Sequence, residues 1–401
     1  MENKKEVVIV SAVRTPFDKF GGEMKALHST FLAQKVLEEV VNKINFNKAD
    51  VEEIIYGSCI HEEIALYANV PIRQALLKAG YPATTLSFTI DRACCSSMTA
   101  LEVAYKDILL GEREVAIACG AENLANSPYL LNRHIPKTGH LELYDHSADM
   151  AYRDWTPVSV DTDVVSKEYG ITRELMDEWS YLSQTRCQAA KEKGYFDDEI
   201  VPITVKGPKG KEITISEDVS PRADTTIEKL SSLKTVYGTE SITAGNAPGL
   251  NVGASAILLM TKEKADEFGL EPLAYILGIG QVADEAKYIP RVPAKAIQLM
   301  MKQNNITLDD IKLIEINEAF AAMPLVSTKI LADGNEELLQ HLRSITNVNG
   351  GAVAIGHPMG ATGCRLVMTL MYELRRRGGG KGVAAICGGL AQGDGILLEV
   401  R

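Results

Sequence analysis

The sequence predicts a layered α/β protein built by internal duplication, and three observations carry that prediction. Residues 50–60, DVEEIIYGSCI, resemble residues 310–320, DIKLIEINEAF, in an acidic start followed by a β-rich run. Residues 115–123, VAIACGAEN, resemble residues 383–391, VAAICGGLA, with Cys119 and Cys387 in register. Each of these later strands follows a small-residue segment and a helix, CCSSMTALEVAYKDILLG (94–111) in one half and ATGCRLVMTLMYELRRRG (361–378) in the other.

Along the chain, VVIVSA, EEIIYG, VAIACG, AILLM, LIEIN, VAAIC and GILLEV are apolar, β-branched runs. Such runs fill sheets buried on both faces. The two duplicated helices place apolar residues every three or four positions and stop at glycine. At 401 residues the chain needs two or more core-forming units. Between the halves, residues 126–240 change texture, becoming rich in Pro, Tyr, Asp and Lys. There KGPKGKEITI (206–215) reads as an exposed hairpin. ITRELMDEWSYLSQTRCQAAKEKG (171–194) reads as a helix with Thr172 as its N-cap and Glu174 and Asp177 favouring its first turns. So long a stretch inside a compact unit is expected to be a functional lid or loop domain. The expected division is 1–125 with 241–271, the insert 126–240, and 272–401.

The composition, 46% hydrophobic and 24% charged, is that of a globular protein. The net charge of −11 argues against nucleic acid or an anionic membrane as the main partner. No run approaches the ~18 apolar residues of a transmembrane helix, and MENKKEVVIVSAVRTPF lacks the features of a signal peptide. Seven scattered cysteines do not suggest a disulfide framework, and without Cys-x-x-Cys or clustered histidine no metal site is expected. A reducing cytoplasm is the expected compartment.

Three segments join turns of glycine or other small residues to reactive side chains. DRACCSSM (91–98) sets Cys94 just before a helix, whose free N–H groups and dipole are expected to stabilise a thiolate. NVNGGAVAIGHPMGATG (347–363) surrounds His357 with five glycines, more than a structural histidine needs. Imidazole is suited to taking a thiol proton near neutrality. CGGLAQGDG (387–395) ends a buried strand with Cys387 and offers N–H groups at Gly388 and Gly389 for a developing oxyanion. NEAFAA (317–322) puts Asn317 and Glu318 at a strand exit, where capping the next helix is the plain alternative to catalysis. Cys94 and His357 occupy comparable positions in the two halves. Pseudo-twofold packing would bring them to one site.

These segments, with SAVRTPF, IPRVPAKAI (289–297) and PRADTTIEKLSSLKTVYGTESITAGNAPGLN (221–251), resemble the thiolase family nearly end to end. The resemblance implies the thiolase fold, two duplicated five-layered αβαβα halves with an inserted loop domain. It also implies reversible Claisen condensation and thiolysis of 3-oxoacyl thioesters. By motif, Cys94 is the acylated nucleophile, His357 its activator, and Cys387 the acid–base thiol that exchanges the α-proton of acetyl-CoA. His357 with a water held by Asn317 forms one oxyanion site, and the N–H groups of Cys94 and Gly389 form the other. Coenzyme A is implied as substrate rather than tightly bound cofactor, and the assembly as a homodimer or homotetramer. Arg222 matches an arginine beside the adenine, and Ala247 and Pro248 fall where the pantetheine arm runs. Pro248 takes the place of the usual serine.

Several positions depart from the family pattern. Cys95 and Ser97 follow the nucleophile, Leu390 and Ala391 replace two glycines, Val158 and Ser159 stand for Met-Gly, and AKY (286–288) replaces an apolar methionine segment. They leave the reaction type standing and put the acyl preference in doubt. Two other readings compete: a condensing enzyme of the ketoacyl synthase type, which needs no counterpart of Cys387, and a catalytically silent thiolase-like scaffold subunit.

Overall fold

The computed structural model describes residues 5–61, 63–64, 69–131, 143–145 and 154–401. The parts of the insert at 132–142 and 146–153 lie outside the described residues. In chain order the main elements of the first half are β1 (Val7–Arg14), α1 (Ser29–Asn42), β2 (Glu53–Gly57), α2 (Pro71–Lys78), β3 (Leu86–Ile90), α3 (Ser96–Leu110) and β4 (Val115–Asn123). The insert supplies α4 (Val158–Glu168), α5 (Arg173–Glu192), β5 (Ile203–Lys206) and β6 (Glu212–Ile215). Then follow β7 (Asn251–Thr261), β8 (Ala274–Ala283), α6 (Val292–Asn304), β9 (Ile311–Ile316), α7 (Ala322–Ala332), α8 (Met359–Arg376), β10 (Gly380–Gly388) and β11 (Gln392–Val400).

The duplication is written into the strand order. One sheet runs β9-β10-β11-β8-β1-β7-β4-β2-β3, with the two-residue strand Asp18–Lys19 paired to β7. Outward from the middle, β1 pairs antiparallel with β7, β7 antiparallel with β4, and β4 parallel with β2. On the other side β8 pairs antiparallel with β11, β11 antiparallel with β10, and β10 parallel with β9. The two series match step for step, and they meet where β1 and β8 pair antiparallel through Val7↔Ile276, Val8↔Tyr275 and Ile9↔Ala274. The repeats read from the sequence are thus β2 with β9 and β4 with β10.

Five layers follow from how the sheet is covered. Helices α1 and α2 pack Leu32, Val36, Leu37 and Leu76 on one outer face. Helices α3 and α8 lie together in the middle, where Met98, Leu101 and Ile108 meet Val367, Leu370 and Met371 between the strands of both halves. Helices α6 and α7 cover the opposite outer face with Ile297, Met300 and Met323. The central helices approach closely because glycine permits it: a Cβ on Gly363 would collide with the backbone of Met98, and one on Gly120 with the carbonyl of Gly360. Helix α3 ends at Gly111, in the left-handed conformation at φ +82°.

In the insert, Thr172 caps α5 by accepting the Leu175 N–H at 3.4 Å, as expected. The 206–215 hairpin forms from β5 and β6, but it is exposed on one face only. Ile203, Val205 and Ile215 point into the first-half core, because a two-stranded ribbon of alternating pattern must bury its apolar face somewhere. Among the described residues, no helix is long and apolar enough to cross a membrane.

Candidate active site

The loop Asp91–Cys95 joins β3 to α3 through a sharp turn. Ala93 sits at φ +49°, a left-handed conformation that costs a residue with a Cβ about 1 kcal/mol. Local bonds hold it. Asp91 accepts the Ala93 N–H at 2.9 Å, while Ser96 Oγ accepts the Arg92 N–H at 2.9 Å and donates to the Ala93 carbonyl at 2.6 Å. Cys94 is half-buried, and its side chain packs against the cluster of Ile60, Leu124 and Met359. The expectation of a helix-stabilised thiolate is corrected here. The helix starts at Ser96 with Cys95 at its cap, and desolvation pushes the Cys94 thiol up to about 12. Its own N–H opposes the shift, and the carboxylates of Glu122 and Asp91 add to it. Cys94 therefore rests as a thiol.

His357 lies just ahead of α8, so Met359, against which Cys94 packs, is two residues from it. Gly356, at φ +111°, leaves room for Asn251, which would stand 2.7 Å from a Cβ there and accepts the His357 N–H at 2.9 Å. The imidazole is buried, and its tautomer follows from its neighbours. Thr362 donates its hydroxyl to the Pro358 carbonyl at 3.0 Å, so it accepts from His357 Nδ1 at 2.7 Å. The proton sits on Nδ1, and the Nε2 lone pair faces the Asn317 amide at 3.4 Å. Burial, and then the charge of Arg365, lower the His357 pKa to about 3. A neutral imidazole with a free Nε2 is the form a base requires.

Asn317 leaves β9 with its N–H on the Ala385 carbonyl at 3.0 Å, two residues short of Cys387 on β10. Its Oδ1 is buried with no protein partner, on the same side chain that meets His357. The capping alternative for Asn317 and Glu318 is overturned: α7 begins at Ala322, capped by Ala321 without a side-chain bond. Glu318 is instead fully buried and accepts from Trp179 Nε1 at 2.8 Å, Ser183 Oγ at 2.8 Å, Asn347 Nδ2 at 2.9 Å and the Val353 N–H at 3.0 Å. It ties the insert's helix α5 to the glycine-rich loop that carries His357.

Cys387 is buried near the end of β10, raised by desolvation and next by the charge of Cys94. The contact between the halves is direct: a Cβ on Gly388 would stand 2.9 Å from Cys95 Sγ and 3.0 Å from the Arg92 carbonyl. Gly389 opens the short turn Gly389–Ala391, in which Leu390 and Ala391 hold φ of +55° and +57°. These are the two positions where the resemblance led us to expect glycine.

The expected coenzyme A residues lie around this centre at different depths. Val158 packs into the cluster that contains Cys387, Ile289 and Met323. Ala247 packs with Met176, Trp179 and Val353, and Pro248 is half-buried. Arg222 is exposed, and its N–H reaches Gln184 Oε1 at 2.8 Å. Gln184 in turn donates to the Val353 carbonyl at 3.3 Å.

Sequence reasoning missed Glu122. It is fully buried and accepts from Ser58, the Cys59 thiol and the N–H groups of Cys59, Ile60 and Gly360, pinning the His357 turn to the end of β4. Its only sequence signal was an acidic residue ending an apolar strand. Thr362 lies inside the glycine-rich motif and was legible there as a hydroxyl five residues beyond the histidine. Among the described residues, no group of three or more His, Cys, Asp or Glu is arranged to hold a metal.

Comparison with known proteins agrees along the whole chain. The profile of the thiolase N-terminal domain matches residues 7–263, and that of the thiolase C-terminal domain matches residues 270–400. The chain is 36% identical over 402 residues to an acetyl-CoA acetyltransferase of Chromobacterium violaceum, covering 99% of both. It is 36% identical over 407 residues to a β-ketoadipyl-CoA thiolase of Acinetobacter baylyi, covering 98% of this chain and 99% of that one. The crystal structure of the Bacillus anthracis acetyl-CoA acetyltransferase superposes with a TM-score of 0.93 at 40% identity over 100% of both chains. Human mitochondrial 3-ketoacyl-CoA thiolase in complex with CoA superposes with a TM-score of 0.90 at 31% identity, covering 99% of this chain and 98% of that one.

Proposed function

We propose, for a chain that belongs to the thiolase family, that Cys94 carries the acyl group while Cys387 moves the α-proton. The chain is an acyltransferase of Claisen condensation and thiolysis. The residue roles, the coenzyme A thioester substrates, the homodimeric or homotetrameric assembly, the loop domain over 126–240 and a cytoplasmic setting make up the rest of this reading.

In thiolysis the Cys94 proton passes to His357 Nε2 as sulfur attacks the 3-oxo carbon. The bond between C2 and C3 breaks, its electron pair goes to C2, and the Cys387 thiol protonates that carbon to release acetyl-CoA. The coenzyme A thiol then gives its proton to the Cys387 thiolate, its sulfur takes the acyl group, and Cys94, as leaving group, regains its proton from His357. Condensation is the reverse. Desolvation pushes the Cys94 thiol up to about 12 and the His357 imidazole down to about 3, so each side chain rests neutral. The transfer becomes favourable only when a thioester oxygen gathers negative charge near N–H donors, for which the groups at Cys94 and Gly389 are the candidates. Asn317, with an unfilled buried Oδ1, suits the holding of a water beside His357. In the coenzyme A reading, Arg222 serves the nucleotide end, and Ala247, Pro248 and Val158 serve the pantetheine and acyl end.

The observation that most supports this reading is the direct contact of the Cys94 loop with the end of the Cys387 strand, where a Cβ on Gly388 would stand 2.9 Å from Cys95 Sγ, two segments from opposite halves of a duplicated fold. The test is to mix the protein with acetoacetyl-CoA and coenzyme A and follow loss of the 3-oxoacyl thioester. Cys94→Ala should abolish acyl transfer. Cys387→Ala should lose exchange of the acetyl-CoA methyl protons while still exchanging labelled coenzyme A. Thiolysis surviving in Cys387→Ala would overturn the assignment.

A further inference from the structure

Carbon–carbon bond formation asks for more than two reactive thiols. The carbon deprotonated at Cys387 must lie about 3–3.5 Å from the carbonyl carbon carried on Cys94. The two sulfurs come from different halves, so their separation is set by whatever joins the loop 91–95 to the hairpin of β10 and β11. Van der Waals contact at Gly388 supplies part of that joint. The rest is polar and centred on Asp394, which is fully buried on β11. Asp394 stands across from Ile386 in the β10–β11 register, next to the pair Cys387↔Gly393. One carboxylate oxygen lies 3.1 Å from Arg92 Nη2, and the other accepts the Thr99 hydroxyl of α3. Arg92 Nη2 also reaches the Val282 carbonyl of β8 at 3.4 Å. Among the described residues this is the ion pair that joins the nucleophile's loop to the strands bearing Cys387.

The surroundings make a purely stabilising role a poor account of this pair. Burying a carboxylate removes its hydration, and a buried ion pair returns little or no net stability. Glu102, one turn along α3 from Thr99, adds a second carboxyl group whose two oxygens are buried without hydrogen-bond partners. Lys106 and Arg92 act on both carboxyls, and the charge of Asp394 in turn acts on Cys95. What such an arrangement supplies is direction, since Asp394 holds a loop residue and a helix residue at once.

We infer that Asp394, acting through Arg92 and Thr99, is a positioning residue that sets the Cys94–Cys387 separation for the carbon–carbon step. It touches neither sulfur, and the inference rests on the roles proposed above for the two cysteines. Three measurements on the full-length enzyme separate positioning from general damage. Exchange of labelled coenzyme A into acetyl-CoA reports acylation of Cys94 alone. Deuterium entry into the acetyl-CoA methyl group reports Cys387 alone, and acetoacetyl-CoA thiolysis needs both. Asp394→Asn should keep each partial exchange within about twofold of wild type and lower kcat for thiolysis on the order of tenfold to a hundredfold. Arg92→Gln should reproduce that pattern if Asp394→Asn fails to fold, and Arg92→Lys should restore part of the loss. All three rates falling together, or thiolysis unchanged in both variants, would overturn the inference. Failure of the underlying reading shows separately, as absence of either partial exchange in the wild-type enzyme.

Discussion

His357 holds its proton on Nδ1 because one hydroxyl has only one proton to give. Thr362 spends it on the Pro358 carbonyl and therefore accepts from the ring. Burial then keeps the imidazole neutral, and the same desolvation keeps Cys94 a thiol. Desolvation also governs Glu102, where it outweighs the opposing charges of Lys106 and Arg92. Its carboxyl is fully buried and its pKa is raised to about 10, by burial first and then by the charge of Asp394. The folded protein therefore keeps a proton on Glu102 that the unfolded chain releases above about 4.5, the ordinary value. Stability is lost as pH climbs from that value toward 10 and is unaffected below it. Glu102→Gln, neutral in both states, should stabilise the protein little at pH 5 and by on the order of a few kcal/mol at pH 8. Melting temperatures at the two pH values decide the matter, and an equal shift at both would count against a protonated Glu102.

At the scale of elements, the turn after Cys387 stores strain. Leu390 and Ala391 hold consecutive left-handed conformations, each costing about 1–2 kcal/mol where a Cβ is present. The turn survives because it is fastened: Ala391 is buried in the core beside α6 and α7, and its carbonyl accepts the Asp284 N–H at 2.9 Å. Leu390 is only half-buried, so its side chain contributes less than its backbone costs. Leu390→Gly should leave stability unchanged or raise it by up to about 1 kcal/mol, whereas Ala391→Val should lower it by about 2 kcal/mol or more. Urea titrations of the two variants check this, and a marked loss in Leu390→Gly would show that the side chain packs rather than strains. The nucleophile's turn follows the same logic on a smaller scale, with Ala93 left-handed between Asp91 and Ser96.

At the scale of the molecule, strand β3 ends the sheet, and among the described residues no strand pairs with its outer edge. Leu86 is 49% and Phe88 40% exposed there, and the strand leads straight into the nucleophile's loop. Open apolar edges invite pairing, and proteins cover them. The proposed homodimer or homotetramer is argued from this edge: light scattering should give two or four times the chain mass for the wild-type protein and a shift toward monomer in Phe88→Lys. A wild-type monomer at micromolar concentration would end that proposal. Among the described residues the opposite end of the sheet, at β9, carries no strand equivalent to β3, so there the duplication that sets the interior does not extend to this edge.

The sequence by itself determined the duplication, the strands and central helices, the family and the type of chemistry. These depend on periodicity, on glycine where backbones must touch, and on short motifs, all local properties of the chain. It also led to Cys94, His357, Cys387 and Asn317, because those residues sit in short recognisable motifs, glycine-rich around His357 and Cys387 and built of small residues around Cys94 and Asn317. Only the tertiary structure decided what state they occupy. Helix position suggested a thiolate at residue 94, and burial reversed it. A cap was one reading of Glu318, and four donors from α5 and the 347–353 segment made it a hub. Asp394, Arg92 and Glu122 carried little signal in the sequence for the same reason. Desolvation and long-range hydrogen bonding depend on which distant segments arrive at a point, and that is a property of the packed fold.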